Sequence, residues 1–182
     1  VGVGAAALAT VDRFIKLNPS SAALDYAYYL RGLINFNDNL GLLSTLANQD
    51  LAERDQQASR DAYQSFRQLV ERFPQSTYAP DAQLRMNYIV NALASYEVHV
   101  SRYYFRRGAY VASASRAQAA VQEFRQTPAT EEALYILAES YARLGLTELH
   151  DDADRVLRKN FPESRFLTGG LDWRESAWWK FW

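Results

Sequence analysis

The residue types that carry most protein chemistry are sparse in this sequence. None of its 182 residues is cysteine, which excludes disulfides, thiolate zinc sites and thiol nucleophiles. The only imidazoles, His99 and His150, stand far apart, and no ligand set with zinc or calcium spacing surrounds them. We interpret His150-Asp151-Asp152 as a solvated acidic turn. Because no nucleophile with a positioned base can be named, we expect neither an enzyme nor a metal site.

A glycine-rich start and the overall charge argue against two further kinds of function. The segment Gly2-Val3-Gly4-Ala5-Ala6-Ala7 formally fits a dinucleotide fingerprint, but no strand precedes it and no βαβ pattern surrounds it. We therefore expect no cofactor. With 20 Lys and Arg against 21 Asp and Glu, the formal net charge is −1, so we expect no nucleic-acid partner.

The near-neutral total hides two oppositely charged segments. Residues 91–125 carry five Arg against Glu97 and Glu123, a balance of +3, whereas residues 126–163 carry eight acids against four bases, a balance of −4. One interpretation is solvated faces and contacts between adjacent repeats. A sharper one singles out Arg116, because small residues around it would let another chain approach a guanidinium that can bind a carboxylate through two bonds. The candidate partner-binding residues here are Arg102, Arg106, Arg107, Ser113 and Arg116.

Helices must position these residues, because the chain repeats one helical pattern. Four segments end in aromatic or apolar residues followed by Pro and small polar residues, with Arg125 in place of Pro in the weakest copy. An apolar stripe at helical spacing precedes the endings. Each copy is therefore predicted to be an amphipathic helix stopped by a turn. The endings are residues 14–20, 69–76, 121–127 and 156–164.

The last copy matches the register of the 34-residue tetratricopeptide (TPR) repeat. Gly145 and Pro162 stand 17 residues apart, as the turn Gly and the terminal Pro do in that repeat. Thr127 and Pro128 precede this unit with the residue types of a helix start. The sequence thus predicts an all-α fold, a TPR-type helical solenoid in which antiparallel helix pairs wind into a right-handed superhelix.

We expect this solenoid to form one domain over residues 1–166, followed by an aromatic tail at 167–182. Its limits are a partial repeat at 1–20 and repeats at about 24–76, 79–127 and 128–164. The tail mixes four Trp with Arg174 and Lys180, which suits a membrane interface. The same indoles could instead cover the last helix pair or contact a protein, which we prefer.

Two irregularities interrupt the repeats. The spacing of Gly32 and Pro74 indicates about 18 extra residues, roughly 38–55, between the two helices of one repeat. Leu42 and Leu46 lie in this insertion, which is either a local helix that closes over its own repeat or a partner-binding loop.

The second irregularity is a long helix. No Gly or Pro occurs between Pro80 and Gly108, which predicts a helix of about 40 Å before a second helix at roughly 111–124. Its predicted apolar stripe consists of Leu84, Tyr88, Ile89, Leu93, Tyr96, Val100, Tyr103 and Tyr104.

Three segments, residues 13–19, 29–33 and 96–112, together resemble the BamD, or ComL-like, family of outer-membrane assembly lipoproteins. The resemblance covers roughly residues 5–164 and includes both irregularities. It implies a periplasmic scaffold, anchored by lipid to the inner leaflet of the outer membrane. Such a scaffold binds the POTRA region of BamA, binds BamC and helps to deliver unfolded outer-membrane proteins. By the same resemblance, the counterpart of Arg116 contacts the POTRA region.

The resemblance also bears on the start of the chain, which has neither Met nor a basic flank. It implies that the chain begins in the second helix of the second repeat. We therefore expect the lipid anchor and the first repeats to lie upstream. The alternative function is a generic periplasmic TPR adaptor for another envelope assembly.

Overall fold

The structure is a computed structural model that describes residues 3–43 and 53–170. Within these two ranges the chain forms eight α-helices and no strand, which confirms the all-α prediction. The helices are α1 (Val3–Leu17), α2 (Leu24–Leu43), α3 (Glu53–Arg72), α4 (Ala79–Arg106), α5 (Tyr110–Glu123), α6 (Ala129–Arg143), α7 (Thr147–Asn160) and α8 (Arg165–Gly169).

Helices α2 and α3 pack as an antiparallel pair. Along α2 and α3, the ring of Tyr28 lies near Phe73 at one end and Phe36 lies near Phe66 towards the other. The residue numbers in contact therefore increase along α2 and decrease along α3, which makes the two helices antiparallel. This is the helix-pair arrangement of the TPR-type fold that the sequence predicted.

Helices α2 and α4 instead run parallel, as corresponding helices of successive repeats do. Tyr29 bonds to Asp81, 52 residues later, and Phe36 contacts Tyr88 at the same separation. A separation of 52 residues exceeds the 34-residue TPR period by 18, the excess that the spacing of Gly32 and Pro74 indicated.

The extra residues partly lengthen the two helices of this pair, since α2 and α3 each have 20 residues. Residues 38–43 continue α2 and residues 53–55 begin α3. Leu42 lies in the last turn of α2, whereas Leu46 lies outside the described residues, as does the tail from residue 171 onward.

The contacts divide the chain into two compact units, Val1–Leu93 and Ala94–Trp182. Contacts in repeat folds are local, so such a chain separates more readily into units than a globular domain does. In the first unit Ala62, Phe66 and Leu69 are fully buried. In the second unit Ala117, Ala133, Ile136 and Leu157 are fully buried.

The predicted long helix is confirmed, because α4 has 28 residues and therefore extends for about 42 Å. The stripe predicted for it was partly wrong. Leu84, Tyr88 and Tyr103 are exposed, because the buried face is shifted and includes two polar residues. The buried residues of α4 are Ala79, Ala82, Met86, Ile89, Leu93, Ala94, Glu97, Val98, Ser101 and Phe105.

Glycine forms the turns that end α4 and α6. Gly108 has a φ of 75° and Gly145 a φ of 72°, in the left-handed region where side chains with a Cβ are strained. Helix α5 begins at Tyr110 after the first of these turns, close to the predicted start. In the described ranges no helix is both long and apolar enough to cross a lipid bilayer.

Candidate partner-binding site

The small residues of α5 pack inside the second unit. Ser113, Ala114, Ala117 and Ala120 are buried, and Ser113 is fully so. Small side chains let neighbouring helices approach closely, and here the approaching helices belong to the same chain. The structure therefore does not place Ser113 on a surface that a partner could reach, and we correct that part of the sequence interpretation.

Three buried hydroxyls join α4, α5 and α6. Ser101 Oγ donates to the Ser113 carbonyl at 2.8 Å, and Ser113 Oγ donates to the Ser101 carbonyl at 3.0 Å. Ser140 Oγ lies 3.1 Å from Ser113 Oγ and 2.7 Å from the Ile136 carbonyl. Every hydroxyl proton in this serine cluster has an acceptor, so burial leaves none of them unsatisfied. The reciprocal bonds hold α4 against α5 in one register.

Glu97 and Arg116 meet one turn further along the same seam. Glu97 precedes Ser101 by four residues and Arg116 follows Ser113 by three, so the antiparallel register that pairs the serines also pairs these two. Arg116 Nη1 lies 3.2 Å from Glu97 Oε2 and 3.4 Å from Oε1. The serine cluster thus sets the helix spacing at which this ion pair forms.

The two partners differ in exposure. The side chain of Glu97 is 7% exposed, whereas that of Arg116 is 45% exposed. A buried carboxylate is costly unless a cation or a hydrogen-bond donor satisfies it. Arg116 is the only residue in the described part of the chain that bonds to Glu97. The cation therefore compensates the buried charge and still reaches the surface.

Arg116 keeps most of its hydrogen-bonding capacity for another group. Only Nη1 contacts Glu97, and neither Nε nor Nη2 has a partner within residues 3–43 and 53–170. These two nitrogens form one edge of the guanidinium, which matches the two oxygens of a carboxylate. The arrangement can thus bind an incoming carboxylate through two parallel bonds.

The other predicted arginines occupy different positions. Arg102 donates from Nε to Glu132 on α6 at 2.8 Å, so it makes a contact between helices of the kind that the simpler interpretation of the charges expected. Arg106 and Arg107 are exposed at the turn after α4, and Arg107 lies 5.4 Å from the centroid of the Tyr103 ring. Arg116 comes six residues into α5, about 9 Å from its start.

Sequence reasoning missed the role of Glu97 and Ser101. Leu93, Glu97, Ser101 and Phe105 are spaced by four residues and are all buried, so the polar pair continues a row that apolar residues begin and end. That spacing was the available signal. It was overlooked because we assigned a buried face only to apolar residues.

A second polar cluster joins α2 to α4 in the first unit. The Tyr29 hydroxyl and Arg85 Nε each donate to Asp81 Oδ2 at 2.6 Å. The hydrogen bonds from Arg85 and then Tyr29 lower the pKa of Asp81, whereas burial and the bond to Asp81 raise the pKa of Tyr29. Arg85 also lies 5.0 Å from the centroid of the Phe36 ring, so this cluster has a structural role.

His150-Asp151-Asp152 lies within α7 and not in the turn that we predicted, and His150 makes a contact between two helices. His150 Nδ1 lies 3.1 Å from the Ala138 carbonyl and so links α7 to α6. Across the described ranges no three His, Asp or Glu side chains come together as metal ligands.

Helix pairs that recur along an all-helical chain define a repeat protein of the TPR type. Residues 4–157 match the family model YfiO, described as outer membrane lipoprotein. The chain belongs to this family, and the resemblance inferred from its sequence segments is confirmed.

Relatives with assigned names include outer membrane protein assembly factor BamD from three species. The protein of Neisseria meningitidis serogroup A is 47% identical over 176 residues, which cover 97% of this chain and 66% of the relative. Those of Xylella fastidiosa strain Temecula1 and Vibrio cholerae serotype O1 are 39% and 35% identical, over 90% and 84% of this chain. The matches cover 56% and 64% of these two relatives, so the chain spans less than two thirds of each.

Proposed function

We propose that this chain is a non-catalytic scaffold in outer-membrane protein assembly, acting at the periplasmic face of the outer membrane. The names of its relatives support the process, and the description of the family supports the location. The proposed partner at Arg116 is the POTRA region of BamA. BamC and unfolded outer-membrane proteins are proposed as further partners, with Arg106, Arg107 and the insertion near Leu42 and Leu46 as additional contacts.

The proposed contact with BamA rests on the half-exposed guanidinium of Arg116. Glu97 contacts Nη1 of the Arg116 guanidinium, while Nε and Nη2 have no partner within residues 3–43 and 53–170 and the side chain is 45% exposed. A partner surface that presents a carboxylate would complete this edge with two charge-assisted hydrogen bonds. Such contacts account for a large share of binding energy when they lie at the centre of an interface.

The test is a calorimetric titration of this chain with purified BamA POTRA domains. Arg116→Gln removes the cation with little change in size, and we expect it to weaken binding by about tenfold or more. We choose Gln because Arg116→Glu would place a second carboxylate against buried Glu97. Arg155→Gln is the matched control, because Arg155 is exposed and, within residues 3–43 and 53–170, pairs only with its helix neighbour Asp152.

Equal affinities for the two variants would remove Arg116 from the interface. If the unaltered chain does not bind POTRA domains at all, the proposed contact with BamA is wrong, and the result favours the alternative of a generic periplasmic adaptor. Circular dichroism of both variants checks that the helices remain folded.

A further inference from the structure

We propose that Glu97 is a positioning residue, which holds the Arg116 guanidinium in the orientation that a partner carboxylate requires. This inference rests on the proposed function, in which Arg116 binds such a partner. It assigns a binding role to a side chain that never touches the partner itself.

Burial prevents Glu97 from acting as a contact. With 7% of its side chain exposed, the carboxylate cannot extend to a molecule that docks on the outside of α5. Its position depends on the adjacent seam, where Ser101 and Ser113 exchange hydrogen bonds in the interior. Glu97 is therefore a buried acceptor, one turn from the hydrogen bonds that join α4 to α5.

The geometry indicates that Glu97 orients Arg116 and does not compete with a partner carboxylate for it. Both contacts from Arg116 to Glu97 come from Nη1, at 3.2 and 3.4 Å, so Glu97 does not occupy the Nε and Nη2 edge. A guanidinium carries five N–H donors in a fixed plane and can bind two carboxylates at different edges. A partner can therefore bind without displacing Glu97, and the bond to Glu97 limits the orientations that Arg116 samples beforehand.

The electrostatics predict which rate constant responds. Glu97 and Arg116 together are close to neutral, so removal of the Glu97 charge should increase long-range attraction of an acidic partner slightly, if at all. Loss of the holding contact frees the long arginine side chain, which must then be ordered on binding. Ordering one such side chain corresponds to about two- to tenfold in affinity, and this loss appears mainly in the dissociation rate.

The experiment measures association and dissociation rates with purified BamA POTRA domains by surface-based kinetics. We expect Glu97→Gln to speed dissociation about two- to tenfold and to leave association nearly unchanged. The matched control is Glu71→Gln, because Glu71 also pairs with an arginine, Arg67, but on an exposed face of α3. We expect the control to leave both rates unchanged.

A double variant separates positioning from a merely structural role. In the Arg116→Gln background, Glu97→Gln should have no further effect on dissociation, because no guanidinium remains to be held. As a second readout, NMR relaxation of the Arg116 Nε–H group should show greater mobility of the side chain in Glu97→Gln than in the unaltered chain.

The outcomes distinguish the two proposals. If Arg116→Gln leaves dissociation unchanged, the proposed BamA contact fails. If Arg116→Gln speeds dissociation but Glu97→Gln does not, or slows it, the positioning role is overturned. The positioning role is also overturned if the Glu97→Gln effect persists without Arg116.

Discussion

Glu97 and Asp81 both lie on α4 and each pairs with an arginine, but the exposed partner differs. Asp81 is 44% exposed and its partner Arg85 is the more covered member, under the Tyr29 bond and the Phe36 ring. At the other pair the carboxylate is the covered member. Because exposure decides which charge an incoming molecule meets, the Arg116 pair presents its cation and the Asp81 pair presents its carboxylate.

Stability at acidic pH should depend on Asp81. Its pKa is lowered from the ordinary value of 3.8 by the hydrogen bonds from Arg85 and Tyr29. A lowered folded-state pKa contributes stability above the unfolded value, and this contribution is lost as pH falls through the folded value. The difference in urea midpoint between the unaltered chain and Asp81→Asn should therefore be full at pH 7 and shrink below about pH 4.

Asp152→Asn provides the control, because Asp152 is an exposed partner of Arg155 and should show a small difference throughout. A difference for Asp81→Asn that stays constant from pH 7 to pH 3 would show that its carboxylate contributes through packing alone.

At the scale of elements, Gly and Pro made the helix ends predictable. Gly108 and Gly145 end helices with positive φ values, a conformation that few other residues adopt, so their positions in the sequence were informative. The buried face of α4 could not be predicted in full. Aromatic residues stand on several sides of this helix, with Tyr88 and Tyr103 exposed and Phe105 buried. The buried polar residues are satisfied by α5, whose register against α4 is a tertiary property.

The contact between α2 and α3 should not tolerate a methyl group at Gly32. A Cβ at this position would lie 2.6 Å from Phe66 Cδ1 and 2.8 Å from Cζ, and the Phe66 ring is fully buried. Gly to Ala within a helix ordinarily stabilises by about 1 kcal/mol, but overpacking in a core costs about 1–3 kcal/mol. We expect Gly32→Ala to lower the free energy of unfolding by about 1–2 kcal/mol in a urea titration.

Gly169→Ala is the matched control, because a Cβ there meets no atom within 4 Å. It should leave the free energy of unfolding unchanged or raise it slightly. A stabilising effect of Gly32→Ala would mean that Phe66 moves aside at little cost.

At the scale of the whole molecule, the family and the helical fold were accessible from sequence, because both depend on periodic features that recur along the chain. The division into two units was not accessible, since it depends on which helices contact one another. The surroundings of Arg116 were predictable only in part. Its small neighbours indicated close packing, but the packing is within the same chain, and the pairing of Arg116 with Glu97 depends on the fold.

Local contacts predict local responses to mutation. We expect Gly32→Ala to speed amide hydrogen exchange in α2 and α3 about fivefold or more, while exchange in α6 stays nearly unchanged. Arg116→Gln should instead speed exchange in α5 and leave exchange in α2 and α3 nearly unchanged, because it leaves Glu97 without its donor in the second unit. Hydrogen exchange followed by mass spectrometry measures both, and uniform acceleration over the whole chain would contradict this view.

The fit of the Phe66 ring against bare backbone at Gly32 also limits how this lineage of sequences can drift. A larger residue at position 32 should cost less stability when position 66 has a smaller side chain than Phe, for example Leu. Positions 32 and 66 should therefore co-vary. In a large alignment of homologous sequences, substitutions at one position should accompany compensating substitutions at the other, although the two positions are 34 residues apart in the chain.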